Sequence, residues 1–219
     1  MKAYQNDNLA TYIHNMKTWL TLDTTAYDYL PNGSNIWSDA YKWYPQFGAF
    51  ALNLGSGTSL PKENVIGAFS ILSANVKVSV NISEFKALLV ELETGKETMR
   101  LQSPDNKNKA RLAIRGDLGQ VKGGKIIAFN DNLLKGNKSE MFTLDTHMIR
   151  SLQNHGNVDL IPGLQSGSIK GADFKVMQIA ALEVAHKNYI PIPVLQAYIW
   201  LLARSIKNEE YDSGLQHLV

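Results

Sequence analysis

The chain has 219 residues, 44% of them apolar, enough to bury a core as one compact unit or two closely packed lobes and unlike a disordered tail. It contains no cysteine, which excludes disulfides, thiolate nucleophiles, zinc ribbons and iron–sulfur clusters and leaves chemistry to carboxylates, lysines, hydroxyls and histidines. The net charge of +2 is unevenly placed: segment 96–125 holds eight basic and three acidic residues, +5, so the remainder carries −3.

In chain order, Leu9, Tyr12, Ile13, Met16, Trp19 and Leu20 have helical spacing over 7–22, and Asn32-Gly33-Ser34 marks a turn before an aromatic helix over 37–54. The run 55–59 is a flexible joint, and Pro61 opens a core helix over 65–73, apolar on almost every side. A helix over 79–93 presents Ile82, Phe85, Leu88, Leu89 and Leu92 and stops at Gly95. Pro104-Asp105 begins a basic helix containing Ala110, Leu112, Ala113 and Ile114, and Gly116, Gly119, Gly123 and Gly124 then form a tight turn into a helix over 125–134. Met148, Ile149 and Leu152 describe a helix starting just after Asp145, with Asp145 as its N-cap. After the glycine-rich stretch 156–171, Asp173 caps a helix to about Lys187, and Pro191 and Pro193 introduce a last helix over 194–206.

No segment has strand alternation, so the fold class expected is all-α. The N-terminus lacks a basic stretch followed by an apolar core and cleavage site, and the apolar run 198–203 is too short to span a bilayer, so the expectation is a soluble, cytoplasmic protein without a membrane partner. His14, His147, His155, His186 and His217 contain no pair at i and i+4, so no transition-metal site is expected; a backbone-bound monovalent cation at the glycine turn stays open.

A basic segment in an otherwise acidic protein meets the need of phosphate-backbone binding, where neutralising phosphates releases counterions; a solvated helix face explains the charge equally. Glycine lets backbone N–H groups approach a phosphate without an intervening Cβ, so Lys122, Gly123 and Gly124 form a candidate anion clamp, with Lys109, Arg111 and Arg115 before it. Asp145, at a helix start, is a candidate functional carboxylate, although capping alone would also place an aspartate there. The tryptophans Trp19, Trp37, Trp43 and Trp200 are read as core.

These stretches, in this order, resemble one family. Leu72-Ser73-Ala74-Asn75 followed by Val78-Ser79-Val80-Asn81 is similar to the early core helix and turn of endonuclease III-type helix-hairpin-helix DNA glycosylases, with Asn75 where the family writes glutamine and a spacer one residue shorter. Asn108-Lys109-Ala110 with Ile114 resembles the family's lysine-alanine helix, and Val121-Lys122-Gly123-Gly124-Lys125-Ile126-Ile127-Ala128 its hairpin. Leu144-Asp145-Thr146-His147-Met148-Ile149-Arg150 resembles the segment bearing the essential aspartate, and Gln196-Ala197-Tyr198-Ile199-Trp200 suits the closing helix. A short, cluster-free, phage-encoded branch of the superfamily has the most similar layout.

The resemblance implies a two-lobed fold, with 60–140 as the lobe carrying the hairpin and 1–59 with 141–219 as the other, in a monomer acting on double-stranded DNA in a bacterial or phage-infected cell. It implies Asp145 as the catalytic residue, Asn75 as a wedge replacing an extruded base, and phosphate contacts from His147 and Arg150. Lys125 is the lysine nearest the position of a Schiff-base nucleophile and stands as a second catalytic candidate. The register there falls on Ile127, which favours a monofunctional hydrolysis with Lys125 on phosphate. Two alternatives stay open: a base-flipping transferase in phage DNA hypermodification, and a non-catalytic DNA-binding or anti-defence protein.

Overall fold

In the computed structural model, residues 3–145, 148–149, 151–152, 171–208 and 210–218 are described, and every regular element among them is a helix. In order these are α1 (Ala3–Thr21), α2 (Gly33–Leu54), α3 (Lys62–Leu72), α4 (Val78–Thr94), α5 (Pro104–Ile114), α6 (Gly124–Lys135), α7 (Gly171–Lys187) and α8 (Ile192–Asn208), with short 3₁₀ turns between several of them. None of these helices is long and apolar enough to cross a membrane. Several expected boundaries move: α1 begins at Ala3 and not at 7, α3 covers Lys62–Leu72 and not 65–73, and α8 begins at Ile192 and not at 194. Asn32, Gly33 and Ser34 open α2 instead of preceding it, because Asn32 Oδ1 accepts the Asn35 N–H at 3.2 Å. The helix expected to begin at Asp173 begins at Gly171, which puts Asp173 in its first turn.

The chain divides into two units. One comprises Met1–Tyr44 with Asn137–Ser213, the other Pro45–Gly136 with Gly214–Val219. The change of unit within α2 coincides with Pro45, which has no N–H to give the Tyr41 carbonyl; Asn137 Nδ2 donates to that carbonyl instead, at 2.9 Å.

In the first unit α1 buries Tyr12, Met16 and Trp19 and packs against α7 and α8. Its buried Asn15 donates to the Leu152 carbonyl and Trp19 Nε1 donates to the Ser151 carbonyl at 3.0 Å, so α1 satisfies two buried helical carbonyls downstream of Asp145. Most of α8 is buried, with Trp37 stacked on Tyr198 at 3.9 Å between ring centres. The Tyr211 hydroxyl donates to Asp39, and burial, then that bond and the charges of Asp39 and Asp212, push its phenol well above the usual range.

In the second unit α3 is the central rod. All of Asn64 to Leu72 is buried, and α4, α5 and α6 pack around it. That surroundings explain the sequence: a helix apolar on every side has partners on every side. Burying Val65, Ile66, Phe69, Ile71 and Leu72 contributes roughly 10 kcal/mol before conformational entropy is subtracted. The close approach of α2 and α6 requires Gly48, where a Cβ would stand 2.3 Å from the Leu133 carbonyl oxygen.

Candidate functional site

The glycine turn is built from α3 outward. α5 starts at Pro104 with Ser103 as N-cap, whose hydroxyl accepts the Asn106 N–H at 3.3 Å, and ends at Ile114. The buried Asn64 donates to the Ile114 carbonyl at 3.2 Å, satisfying one of the orphan acceptors at that end. Gly67 lets the following loop lie on α3: a Cβ there would meet Leu118 Cδ2 at 3.1 Å and Val121 Cγ2 at 3.3 Å. Gly123 then adopts φ +88, open only to glycine, and its carbonyl accepts the Ile127 N–H as α6 begins.

Because Gly123 has no capping side chain, the N–H groups of Gly124, Lys125 and Ile126 have no hydrogen-bond acceptor among the described residues. Lys122, Gly123 and Gly124 are exposed and Lys125 is half-buried; neither lysine has an ion pair among the described residues, and Arg115 at the end of α5 is likewise exposed and unpaired. The arrangement is a positive helix N-terminus flanked by two lysines, which attracts anions. The loop carbonyls of Gly116, Asp117 and Leu118 already accept backbone N–H groups. Among the described residues no three histidine, aspartate or glutamate side chains gather as a metal site.

Two of the basic candidates are engaged elsewhere. Lys109 pairs with Asp105 one turn earlier in α5. Arg111 faces inward: Nε donates to Glu91 Oε2 at 2.8 Å, a second guanidinium nitrogen to Glu91 Oε1 at 3.2 Å, and a third lies 3.4 Å from Glu97. Glu91 also accepts the Thr98 and Met99 N–H groups. Burial pushes its carboxyl up, but the Arg111 bond, the two backbone donors and the Arg111 charge together outweigh it and hold the group at about 2. Seven residues earlier on α4, the buried Glu84 accepts the N–H groups of Arg100, Leu101 and Gln102 at 2.9 to 3.1 Å. The sequence reading missed both carboxylates; the available signal was their seven-residue spacing, which sets both at the edge of the Ile82–Phe85–Leu88 face of α4.

These two carboxylates fix the strap between α4 and α5, and the strap presents Leu101 with 62% of its surface exposed. The Gln102 amide donates to the carbonyls of Leu72 at 2.7 Å and Ala74 at 3.0 Å, joining the strap to the turn after α3. Asn75 stands exposed on that turn at φ +59, a conformation asparagine tolerates better than most residues. Two exposed side chains, one polar and one apolar, are therefore the chain neighbours of a hydrogen-bonded pair.

Asp145 is half-buried in the first unit and is the N-cap of the helix containing Met148 and Ile149. Its Oδ1 accepts the Met148 N–H at 2.8 Å and its main-chain carbonyl the Ile149 N–H at 3.0 Å. Oδ2 accepts the Trp200 indole N–H at 3.1 Å. The Trp200 ring carries the Arg204 guanidinium 5.0 Å from its centre, Arg204 is anchored on Asp212 at 2.9 Å, and Trp43 meets the ring edge-on at 5.6 Å. The approach to Asp145 is set by Gln178 of α7, whose side chain both accepts from the Phe142 N–H and donates to the Phe142 carbonyl. The carboxylate is held in one orientation, with a lone pair on each oxygen beyond those bonds. His147 and Arg150 lie outside the described residues.

Fold and site together define an all-helical protein with an anion-attracting helix start in one unit and a fixed, half-buried carboxylate in the other. No protein-family model matches the chain, and no curated protein or solved structure matches it.

Proposed function

We propose that the chain is a DNA-binding protein of the helix-hairpin-helix glycosylase type, hydrolysing the N-glycosidic bond of a damaged or modified base with Asp145 as the catalytic carboxylate. The observation that carries the DNA reading is the turn Lys122-Gly123-Gly124-Lys125, with its positive φ and the N–H groups of Gly124, Lys125 and Ile126 without an acceptor among the described residues, because it joins helix-dipole, amide and lysine attraction at one exposed point. Asn75 and Leu101 extend the reading: a base is extruded only if something occupies its place in the stack, and apolar side chains on rigid loops act as such wedges. At Asp145, two fixed hydrogen bonds leave a preoriented anion, suited to stabilising positive charge on a sugar and to orienting water. Lys125 opens α6 beside the free amides, a place that suits phosphate contact and a monofunctional reaction. A monovalent cation at the turn belongs to the same proposal.

The test is incubation of the protein with duplex oligonucleotides bearing uracil, hydroxymethyluracil, thymine glycol, oxoguanine or alkylated bases. Base release by the wild type, lost in Asp145→Asn without strand cleavage at the lesion, is the expected result. Covalent trapping of the protein on DNA by borohydride would overturn the monofunctional assignment. A second reading is favoured by one observation: both Asp145 oxygens are already bonded, which a purely structural cap also produces. On that reading, salt-sensitive DNA binding survives Asp145→Ala and no tested base is released.

A further inference from the structure

The corner between α7 and α8 presents an aromatic side chain that folding does not explain. α7 ends in a Schellman-type turn, with the Ile190 N–H donating to the Ala185 carbonyl at 2.9 Å and the Tyr189 N–H to the His186 carbonyl at 3.2 Å. The residue at the turn must take a positive φ. That residue is Tyr189, at φ +56, where glycine or asparagine is the low-strain choice. The residue is 94% exposed. A bulky residue held in a strained conformation, with its ring in water, gains nothing there from packing.

The corner is sharp. Phe174–Lys187 and Ile192–Asn208 meet at 103°, Pro191 limits the chain between them, and the Asn188 side chain is tied to the Val184 carbonyl at 2.7 Å. An angle and a connection of this size also occur in DNA-binding helix-turn-helix units, but α8 is buried along most of its length and has no face free to enter a groove. What the corner offers is its tip. Immediately before Tyr189 the exposed residues are His186, Lys187 and Asn188, without a carboxylate among them. Lys187 shares a solvent-screened ion pair with Glu183 that a phosphate can replace.

We infer that Tyr189 is a stacking platform for an unpaired nucleobase, with Lys187 and His186 meeting the adjoining phosphates. An exposed aromatic ring on a hydrogen-bonded turn, beside cationic and polar side chains, is the chemistry by which single-stranded nucleic acid is held, the ring taking the base and the cation the backbone. The inference rests on the DNA-binding reading above and adds to it a second contact, on a different element from the glycine turn.

The test measures anisotropy of a labelled single-stranded oligonucleotide and of the same sequence as a perfect duplex, with wild type, Tyr189→Asn, Tyr189→Phe and a Lys122→Glu/Lys125→Glu double variant. Tyr189→Asn is expected to weaken single-strand binding about tenfold. The same variant keeps or raises the melting temperature, because asparagine accepts the positive φ, so the loss cannot be misfolding. Tyr189→Phe retains affinity, and photocrosslinking to a bromouracil-substituted strand marks Tyr189. If Tyr189→Asn binds as tightly as wild type while the double lysine variant loses affinity, the inference fails and the DNA reading stands. A wild type that binds neither oligonucleotide overturns both. Self-association lost in Tyr189→Asn with DNA affinity unchanged assigns the ring to a protein contact and overturns the inference.

Discussion

Asp145 gives each carboxylate oxygen to a different N–H, Met148 on one side and Trp200 on the other, and an asparagine in its place offers only one acceptor. Asp145→Asn therefore turns one contact into two opposed donors and is expected to cost about 1–2 kcal/mol, a drop of a few degrees in melting temperature. Base release should disappear altogether. The two effects separate: Trp200→Phe removes the same contact from the other side with the carboxylate intact, so it should show a comparable thermal loss and retain measurable base release. Arg111 shows how far a residue's type leaves its role open. In sequence it is one more cation of a basic helix; in the structure its guanidinium is taken up by Glu91 and Glu97, so under the proposed DNA reading phosphate contact would fall to Arg115, Lys122 and Lys125.

Among elements, the strap between α4 and α5 carries a pH dependence with a definite sign. The Glu91 carboxyl, at about 2 in the folded chain against an ordinary 4.5, binds fewer protons when folded than when unfolded. Its contribution is fully present above 4.5 and is lost as pH falls toward 2. Melting temperature measured from pH 5 downward should thus fall more steeply for the wild type than for Glu91→Gln. Helix contacts give two further tests. Gly48→Ala drives a Cβ into the Leu133 carbonyl and should cost about 3 kcal/mol, read by denaturant unfolding. Gly67→Ala meets side-chain methyls of Leu118 and Val121 at 3.1 and 3.3 Å, and no backbone, and gains helix propensity, so its stability should stay within about 1 kcal/mol of wild type. Because those two side chains seat the glycine turn on α3, the Gly67 variant should bind DNA more weakly at unchanged stability.

For the whole molecule, the DNA reading predicts an affinity that falls linearly with the logarithm of salt, and the Lys122→Glu/Lys125→Glu variant should flatten that slope by about 2. The sequence made the helical class legible, since apolar spacing near 3.6 and glycine or proline stops are local properties of the backbone. It placed α4 against Gly95, α5 at Pro104 and the cap at Asp145, each decided by a few adjacent residues. It did not reveal the buried pair Glu84 and Glu91, because their partners are backbone N–H groups 7 to 18 positions away that converge only when the strap folds back. Nor did it reveal Tyr189, whose exposure and positive φ depend on where α7 stops and how α8 departs. Sequence by itself determined that this is an all-helical protein with a glycine turn among cations and an aspartate at a helix start. Tertiary structure alone decided which cations are free, which carboxylates are buried and which aromatic ring faces water, because charge pairing and burial are set by neighbours in space rather than along the chain.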